Sequence, residues 1–179
     1  STTFDFSIGS IDVLEPTITV ASYNRPEITA FYAGRIWYGA STYSNKGTNI
    51  YFTQVLERDD QFGSCYQSND PTSEYFFDLL ANDGGVVSIP EISNVVGLFS
   101  MRSALVVLAT NGIWVIRGNS AEGFSATSYR VEKVTSTGCV SRYSVCDMKG
   151  LPVWMGEDGI YTLEYDPNYN AFQLKSRSD

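Results

Sequence analysis

The sequence predicts an all-β protein built from antiparallel hairpins, with at most one short helix, and two compositional observations support this. Tyr, Phe and Trp make up 14% of the 179 residues and stand among Val and Ile, the residue types that strands favour. Charged residues make up only 18%, which is low for long exposed helices and for a disordered chain. A chain of this length can bury a core without disulfides or metals.

The first 24 residues are set apart from the rest of the chain. They alternate loosely between apolar and polar side chains and are interrupted by Pro16, which predicts an N-terminal arm or two leading strands. Arg25-Pro26 marks the boundary, because proline lacks an N–H donor and keeps its predecessor extended. We therefore expect an arm over 1–24 and a β domain over 25–179.

Three segments of the β domain share a strand–connection–strand pattern that predicts hairpins. The first has a polar connection over 41–48, the second has Asn111-Gly112, and the third has Asp158-Gly159. Asn-Gly and Asp-Gly accept the positive φ angles of a type I′ turn, whose twist suits antiparallel strands. Asn111, Gly112, Asp158 and Gly159 are therefore predicted to form structural turns.

The hairpins recur at intervals that predict propeller-like blades. Ile160 follows Ile113 by 47 residues, and Ile113 follows Ile50 by 63. Four-stranded propeller blades repeat at roughly 40 to 50 residues, so the first interval fits and the second fits with an insertion. The chain would hold three or four blades and form part of a larger β-propeller. The alternative is a β-sandwich with similar hairpins.

The predicted insertion covers 57–89. Thr72-Ser73-Glu74 could cap a short helix that runs to Ala81 and stops at the following Asn-Asp-Gly-Gly. This is the one helix that the sequence predicts.

Charge and composition exclude several classes of function. The sequence has no histidine, which removes Ser-His and Cys-His nucleophile pairs and most zinc sites. The net charge is −8 and the basic residues form no run, so tight nucleic-acid binding is not expected. No cofactor is predicted. No apolar run approaches the roughly 20 residues of a membrane span, and the N-terminus does not resemble a signal peptide.

Acidic residues offer the remaining candidates for acid–base or metal chemistry, and the sequence favours neither. Glu57, Asp59 and Asp60 stand together, as do Glu157 and Asp158, but solvated loops explain both groups. The segment 166–177 begins with the spacing of a calcium loop, yet it lacks the glycine and glutamate that such a loop requires. We predict no metal site and no enzymatic activity.

The tryptophans and cysteines are weaker candidates. Trp37, Trp114 and Trp154 lie in predicted strands, where a core role is favoured over a ligand-binding or interface surface. Cys65, Cys139 and Cys146 form no CxxC pair. We expect packed or partly exposed thiols, with a Cys139–Cys146 bridge as the alternative.

An ordered set of short motifs between about residues 25 and 170 resembles the propeller region of tail-nozzle proteins from short-tailed bacteriophages. These proteins are also described as tail tubular or packaged-DNA stabilisation proteins. The motifs are Arg25-Pro26, Phe31, Gly34-Arg35-Ile36-Trp37, Ile50-Tyr51-Phe52-Thr53, Asp83-Gly84-Gly85, Leu105 to Trp114, and Gly159-Ile160.

The resemblance implies a structural virion component that forms or decorates the channel through which DNA leaves. It implies self-association in a hexameric ring, contact with portal, adaptor and other tail proteins, and DNA that passes without sequence-specific binding. The location would be the virion tail, after synthesis in the host cytoplasm. An alternative function is a β module that binds a glycan or host surface, and a third is a glycoside-active enzyme using Glu57, Asp59 or Glu157.

Overall fold

The computed structural model describes residues 26–39, 48–68, 79–119 and 123–178. Its strands form three four-stranded antiparallel sheets, and within each sheet the strands neighbour one another in chain order. The first blade contains β1 (Ile28–Tyr32), β2 (Arg35–Gly39), β3 (Asn49–Phe52) and β4 (Gly85–Ser88). The middle blade contains β5 (Val95–Met101), β6 (Ala104–Ala109), β7 (Gly112–Gly118) and β8 (Tyr129–Thr135). The third blade contains β9 (Cys146–Met148), β10 (Leu151–Met155), β11 (Ile160–Asp166) and β12 (Ala171–Ser176).

The middle blade packs between the other two, and this arrangement explains its continuous apolar sequence. Every residue of β6 is buried, as are the first six residues of β7. Alternate side chains point to opposite faces of a sheet. Leu105, Val107 and Trp114 consequently pack towards the first blade, and Val106, Leu108 and Val115 pack towards the third.

One position repeats through all three blades. Ile50, Ile113 and Ile160 stand at or next to the start of the third strand in their respective blades. Ile50 and Ile113 are fully buried because each faces the following blade. Ile160 points in the same direction, away from the middle blade, and lies on the outer face of the third blade with 42% of its surface exposed. The predicted interval of 47 residues therefore corresponds to one blade.

The predicted fold class is confirmed. The three predicted hairpins are β2–β3, β6–β7 and β10–β11. Three sheets stack in series, so the two-sheet sandwich is wrong. The predicted insertion is too long at its C-terminal end, because residues 85–88 form β4 and pair with β3. Gly-Val-Val-Ser does not alternate between apolar and polar residues, which is the pattern by which a short strand is recognised in sequence.

The two predicted turns lie at hairpin corners, but their predicted type is wrong. Ala109 pairs with Gly112, so the turn consists of Thr110 and Asn111, and Gly112 already belongs to β7. Neither turn residue has a positive φ. Asp158-Gly159 lies within a longer connection, closed where the Gly156 N–H donates to the Gly159 carbonyl at 2.8 Å.

Type I′ backbone angles occur instead at two turns that the sequence did not single out. Ala33-Gly34 joins β1 to β2 with φ angles of 52° and 71°. Lys149-Gly150 joins β9 to β10 with φ angles of 56° and 82°. Each pair has glycine in the second position, where a left-handed conformation costs least. Both turns join the first two strands of a blade.

Two predictions concern residues that the structure describes only in part or not at all. The arm over 1–24 lies outside the described residues. Most of the predicted helix over 72–81 also lies outside them, and its last three residues, 79–81, are not helical. The regular helical structure in the described ranges consists of two short 3-10 turns, Asp59–Gln61 and Arg142–Ser144. Within these ranges no helix has the length and apolar character needed to cross a bilayer.

Candidate functional site

A buried arginine joins the base of the long β3–β4 connection to the first blade. Arg35 is 1% exposed and begins β2 directly after the Ala33-Gly34 turn. Its guanidinium donates to the carbonyls of Thr53 and Asp83 at 2.8 and 2.6 Å. It also donates to the carbonyls of Ala81 and Asn82 at 2.5 and 3.2 Å. One side chain thereby fastens both ends of the connection.

The electrostatics of Arg35 reflect this burial. Loss of water lowers its pKa to about 10, and the nearby Asp83 carboxylate partly opposes the change. The Asp83 carboxylate accepts from the backbone N–H groups of Ser68 and Leu80 at 3.0 and 2.7 Å. A Cβ on Gly84 would lie 2.4 Å from the Ser64 carbonyl oxygen, so the backbone approach there requires glycine. We call Arg35, Asp83 and Gly84 the clamp.

The connection covers the outer face of the first blade. Tyr38, Tyr51 and Cys65 form a buried cluster on this face. The Tyr38 hydroxyl donates to the Phe62 carbonyl at 2.5 Å. Burial raises the pKa of both the Tyr38 hydroxyl and the Cys65 thiol above their ordinary values. This end of the stack is closed to solvent.

The outer face of the third blade is open. Met148, Met155 and Ile160 lie on it with 45, 52 and 42% of their surface exposed. Further along the same face, the Glu164 carboxylate pairs with Lys175 and Arg177, each at 2.5 Å. The hydrogen bond from Lys175 lowers the pKa of Glu164, with desolvation opposing it. We call this surface the open face, which is apolar at one end and charged at the other.

A groove of about 1040 Å³ lies where turns from all three blades meet. Its lining includes Arg102 from the β5–β6 turn, Arg117 at the end of β7 and Arg130 at the start of β8. None of the described residues that line it is Asp or Glu. Phe31 and Tyr165 stand at its edge, 61 and 38% exposed. We call it the arginine groove.

The three arginines of the groove differ in how they are held. Arg117 is 8% exposed and donates to the Glu132 carboxylate at 2.9 Å and to the Asn170 carbonyl at 3.0 Å. The Arg130 Nε lies 3.2 Å from the same carboxylate. Arg102 is exposed and has no hydrogen-bond or ion-pair partner among the described residues. Glu132 thus fixes two of the cations, and Arg102 is available to a ligand.

The three predicted aromatic candidates are core residues. Trp37, Trp114 and Trp154 are at most 2% exposed and pack between the blades. The Trp37 Nε1 donates to the Tyr32 carbonyl at 3.0 Å, whereas the buried Trp154 Nε1 has no hydrogen-bond partner among the residues that the structure describes. The favoured core prediction is confirmed. A ligand-stacking surface formed by these rings is wrong, because no ligand can reach them.

All three cysteines are free in the structure. Cys65 and Cys139 are buried, and Cys146 is exposed. The Cys139 thiol donates to the Ser141 carbonyl at 3.3 Å. The prediction of packed or partly exposed thiols holds, and the alternative Cys139–Cys146 bridge is wrong.

The acidic candidates occupy separate positions. Asp60 pairs with Arg58 on an exposed surface, and Asp158 accepts from the Tyr161 hydroxyl at 2.7 Å. Asp166 accepts from the backbone N–H of Asn168 at 2.9 Å, as in an ordinary turn. Across the ranges that the structure covers, no three acidic or cysteine residues form a group that could hold a metal ion.

Sequence reasoning identified Arg35 as part of a motif but missed its role, and it missed the arginine groove entirely. The available signal for Arg35 was a single charge at the start of an apolar strand. The groove had no such signal, because its residues come from turns that are far apart in the sequence. Comparisons with known proteins add no assignment, since no family model and no curated protein matches this chain.

Proposed function

We propose that this chain is a structural component of a phage tail, a module of the tail nozzle that forms or decorates the DNA exit channel. One observation carries the proposal. The motifs that resemble tail-nozzle proteins include residues that fix the framework: Arg35 and Asp83 fasten the β3–β4 connection to the first blade, and Trp37 packs between two blades. Such residues serve a protein that acts through a rigid shape.

The surfaces of the molecule are compatible with assembly. A closed ring of identical subunits requires one patch of each subunit to contact a different patch of the next. The open face provides an apolar area at Met148, Met155 and Ile160 that a neighbouring copy would cover. The net charge of −8 disfavours retention of DNA that passes through the ring.

Localisation in the particle tests the proposal. Antibodies against residues 26–178 would be applied to purified particles of the phage that encodes the protein, and bound gold would be located by electron microscopy. We expect label at the tail below the portal. Label on the capsid shell, or particles without label whose proteome lacks the chain, would contradict the proposal.

Ring formation is a second measurement. The product of the full gene, examined by negative-stain microscopy and analytical ultracentrifugation, should form closed rings. Ile160→Asp places a charge on the apolar end of the open face and should reduce ring formation. Tyr143→Asp introduces the same charge at a side chain that is 85% exposed and lies outside the open face, and it is the matched control. A monomeric full-length protein would contradict the assembly that we propose.

A further inference from the structure

We propose that the arginine groove binds an acidic saccharide, a short oligosaccharide whose sugar ring carries a carboxylate or a sulfate. This function is separate from the wall-forming role and does not depend on it. The inference starts from charge. The chain has 20 acidic and 12 basic residues, yet three arginines and no acidic residue stand among the described residues that line the groove.

The cations of the groove are only partly neutralised. Glu132 is the carboxylate that pairs with Arg117 and Arg130. Arg102 has no partner in the described part of the chain, and the buried Arg117 Nε likewise has none. The donors left to an anion are therefore the exposed Arg102 guanidinium and the buried Arg117 Nε. A guanidinium presents two parallel N–H groups, the geometry that matches a carboxylate or a sulfate.

Exposed aromatic rings favour a sugar over a bare anion. Phe31, the fourth residue of β1, is 61% exposed at the edge of the groove, whereas the next residue, Tyr32, is buried. Tyr165 is 38% exposed, and its hydroxyl is held by the Asn170 side chain at 2.7 Å. An aromatic face covers the C–H face of a sugar ring. The Asn119 amide nitrogen donates to Ser128 and to the Tyr129 carbonyl, so its side-chain oxygen is the atom that would accept from a sugar hydroxyl.

The size and charge of the site argue against nucleic acid and for a small ligand. A volume of about 1040 Å³ suits a di- or trisaccharide. The lining is a concave patch formed by turns of three blades. A long polyanion would extend over a molecule whose net charge is −8 and would be repelled there.

Isothermal titration of the full chain with four probes of comparable length tests the assignment. The probes are trigalacturonate, sulfated maltotriose, neutral maltotriose and a tetraglutamate peptide, with a hexathymidylate strand as a fifth titrant. We expect saturable binding of at least one acidic sugar, and binding of maltotriose weaker by about tenfold or more. Which acidic sugar binds better distinguishes the carboxylate from the sulfate.

Arg102→Gln should weaken binding of the acidic sugar about tenfold, because it removes the unpaired guanidinium. Arg58→Gln is the matched control, since it makes the same charge change at an exposed residue outside the groove. Both substitutions are at exposed positions and should leave the far-UV circular dichroism spectrum unchanged.

Three results would overturn the proposal. One is binding of maltotriose as tight as that of both acidic sugars. Another is equal binding by Arg102→Gln and Arg58→Gln. The third is tighter, Arg102-dependent binding of tetraglutamate or hexathymidylate, which would assign the groove to an acidic protein segment or to nucleic acid. None of these results bears on the tail localisation, so the two proposals fail separately.

Discussion

The two ends of the blade stack differ in whether the outer face of the sheet is covered. The first blade is covered by its own β3–β4 connection, which buries Tyr38 and Tyr51. The third blade leaves Met155 and Ile160 exposed. The same four-stranded unit can thus be closed by a loop of its own chain or present an apolar surface to a neighbour. The difference lies in the clamp, which only the first blade has among the described residues.

The largest expected effect comes from breaking the clamp. Arg35→Met should lower the free energy of unfolding by about 4 kcal/mol, because four backbone carbonyls lose their donor and the bonds to two of them, those of Thr53 and Asp83, are buried. Arg177→Met, at an ion pair on the open face, should cost less than about 1 kcal/mol. Urea denaturation followed by tryptophan fluorescence measures both. Equal losses would show that the clamp does not distinguish the two ends.

The repeated isoleucine provides a comparison at equivalent positions. Ile50→Ala should cost about 3 kcal/mol, because the side chain is fully buried between blades. Ile160→Ala should cost less than about 1 kcal/mol in the monomer, since its side chain is 42% exposed. Urea denaturation at low protein concentration is the measurement. A large loss for Ile160→Ala in a proven monomer would mean that this face is covered.

The interface between the first and middle blades and the interface between the middle and third blades each contain a buried tryptophan, and the two differ in the hydrogen bonding of the indole N–H. Trp37→Phe removes a hydrogen bond to the Tyr32 carbonyl, whereas Trp154→Phe removes a buried N–H that has no acceptor within the described part of the chain. We therefore expect Trp37→Phe to be more destabilising than Trp154→Phe by about 1 to 2 kcal/mol. Thermal unfolding followed by circular dichroism would measure the difference. The reverse order would indicate that Trp154 has a partner.

The smallest expected effect is on folding stability at alkaline pH, and it tests the burial of Cys65 beneath the β3–β4 connection. The unfolded Cys65 thiol titrates near its ordinary pKa of 9.0, and burial raises that pKa in the folded chain. The folded state then holds more protons, so stability is fully present below pH 9 and falls as the pH rises above it. The slope per thiol is at most about 1.4 kcal/mol per pH unit.

Cys65→Ala should therefore make stability less dependent on pH between 9 and 10, at a small cost in stability near neutrality. Cys146→Ala, at an exposed thiol, is the control and should keep the wild-type slope. Denaturation midpoints measured across pH 7 to 10 provide the comparison. Parallel curves for Cys65→Ala and the wild type would contradict burial of this thiol.

The hairpins could be predicted from sequence because each depends on neighbouring residues. Runs of apolar, branched and aromatic residues before and after Asn111 and Asp158 placed the strands on either side of their corners. The turn type could not be predicted, because strand pairing is set by which faces are buried. Pairing of Ala109 with Gly112 moves the turn one residue towards the N-terminus, so Thr110 and Asn111 need no positive φ, and the positive φ of 152° falls on Gly112 at the start of β7.

The candidate sites were harder to predict because they depend on contacts between distant residues. Arg35 bonds to carbonyls that are 46 to 48 residues away as well as to nearby Thr53, and no local pattern encodes such a partner. The arginine groove brings together turns from three blades. The burial of Trp37, by contrast, was the favoured prediction from its branched and aromatic neighbours. Local sequence patterns therefore predict the strands and the core residues better than they predict the clamp and the arginine groove.

The clamp also has a practical consequence for engineering. Ser68 and Leu80 both donate backbone N–H groups to the Asp83 carboxylate, so the two ends of the intervening segment are anchored at one point. Once the stem of a loop is fixed, doubling its length costs only about 0.6 kcal/mol of closure entropy. A peptide tag or a small foreign module could be grafted between these two residues while the blades keep their packing.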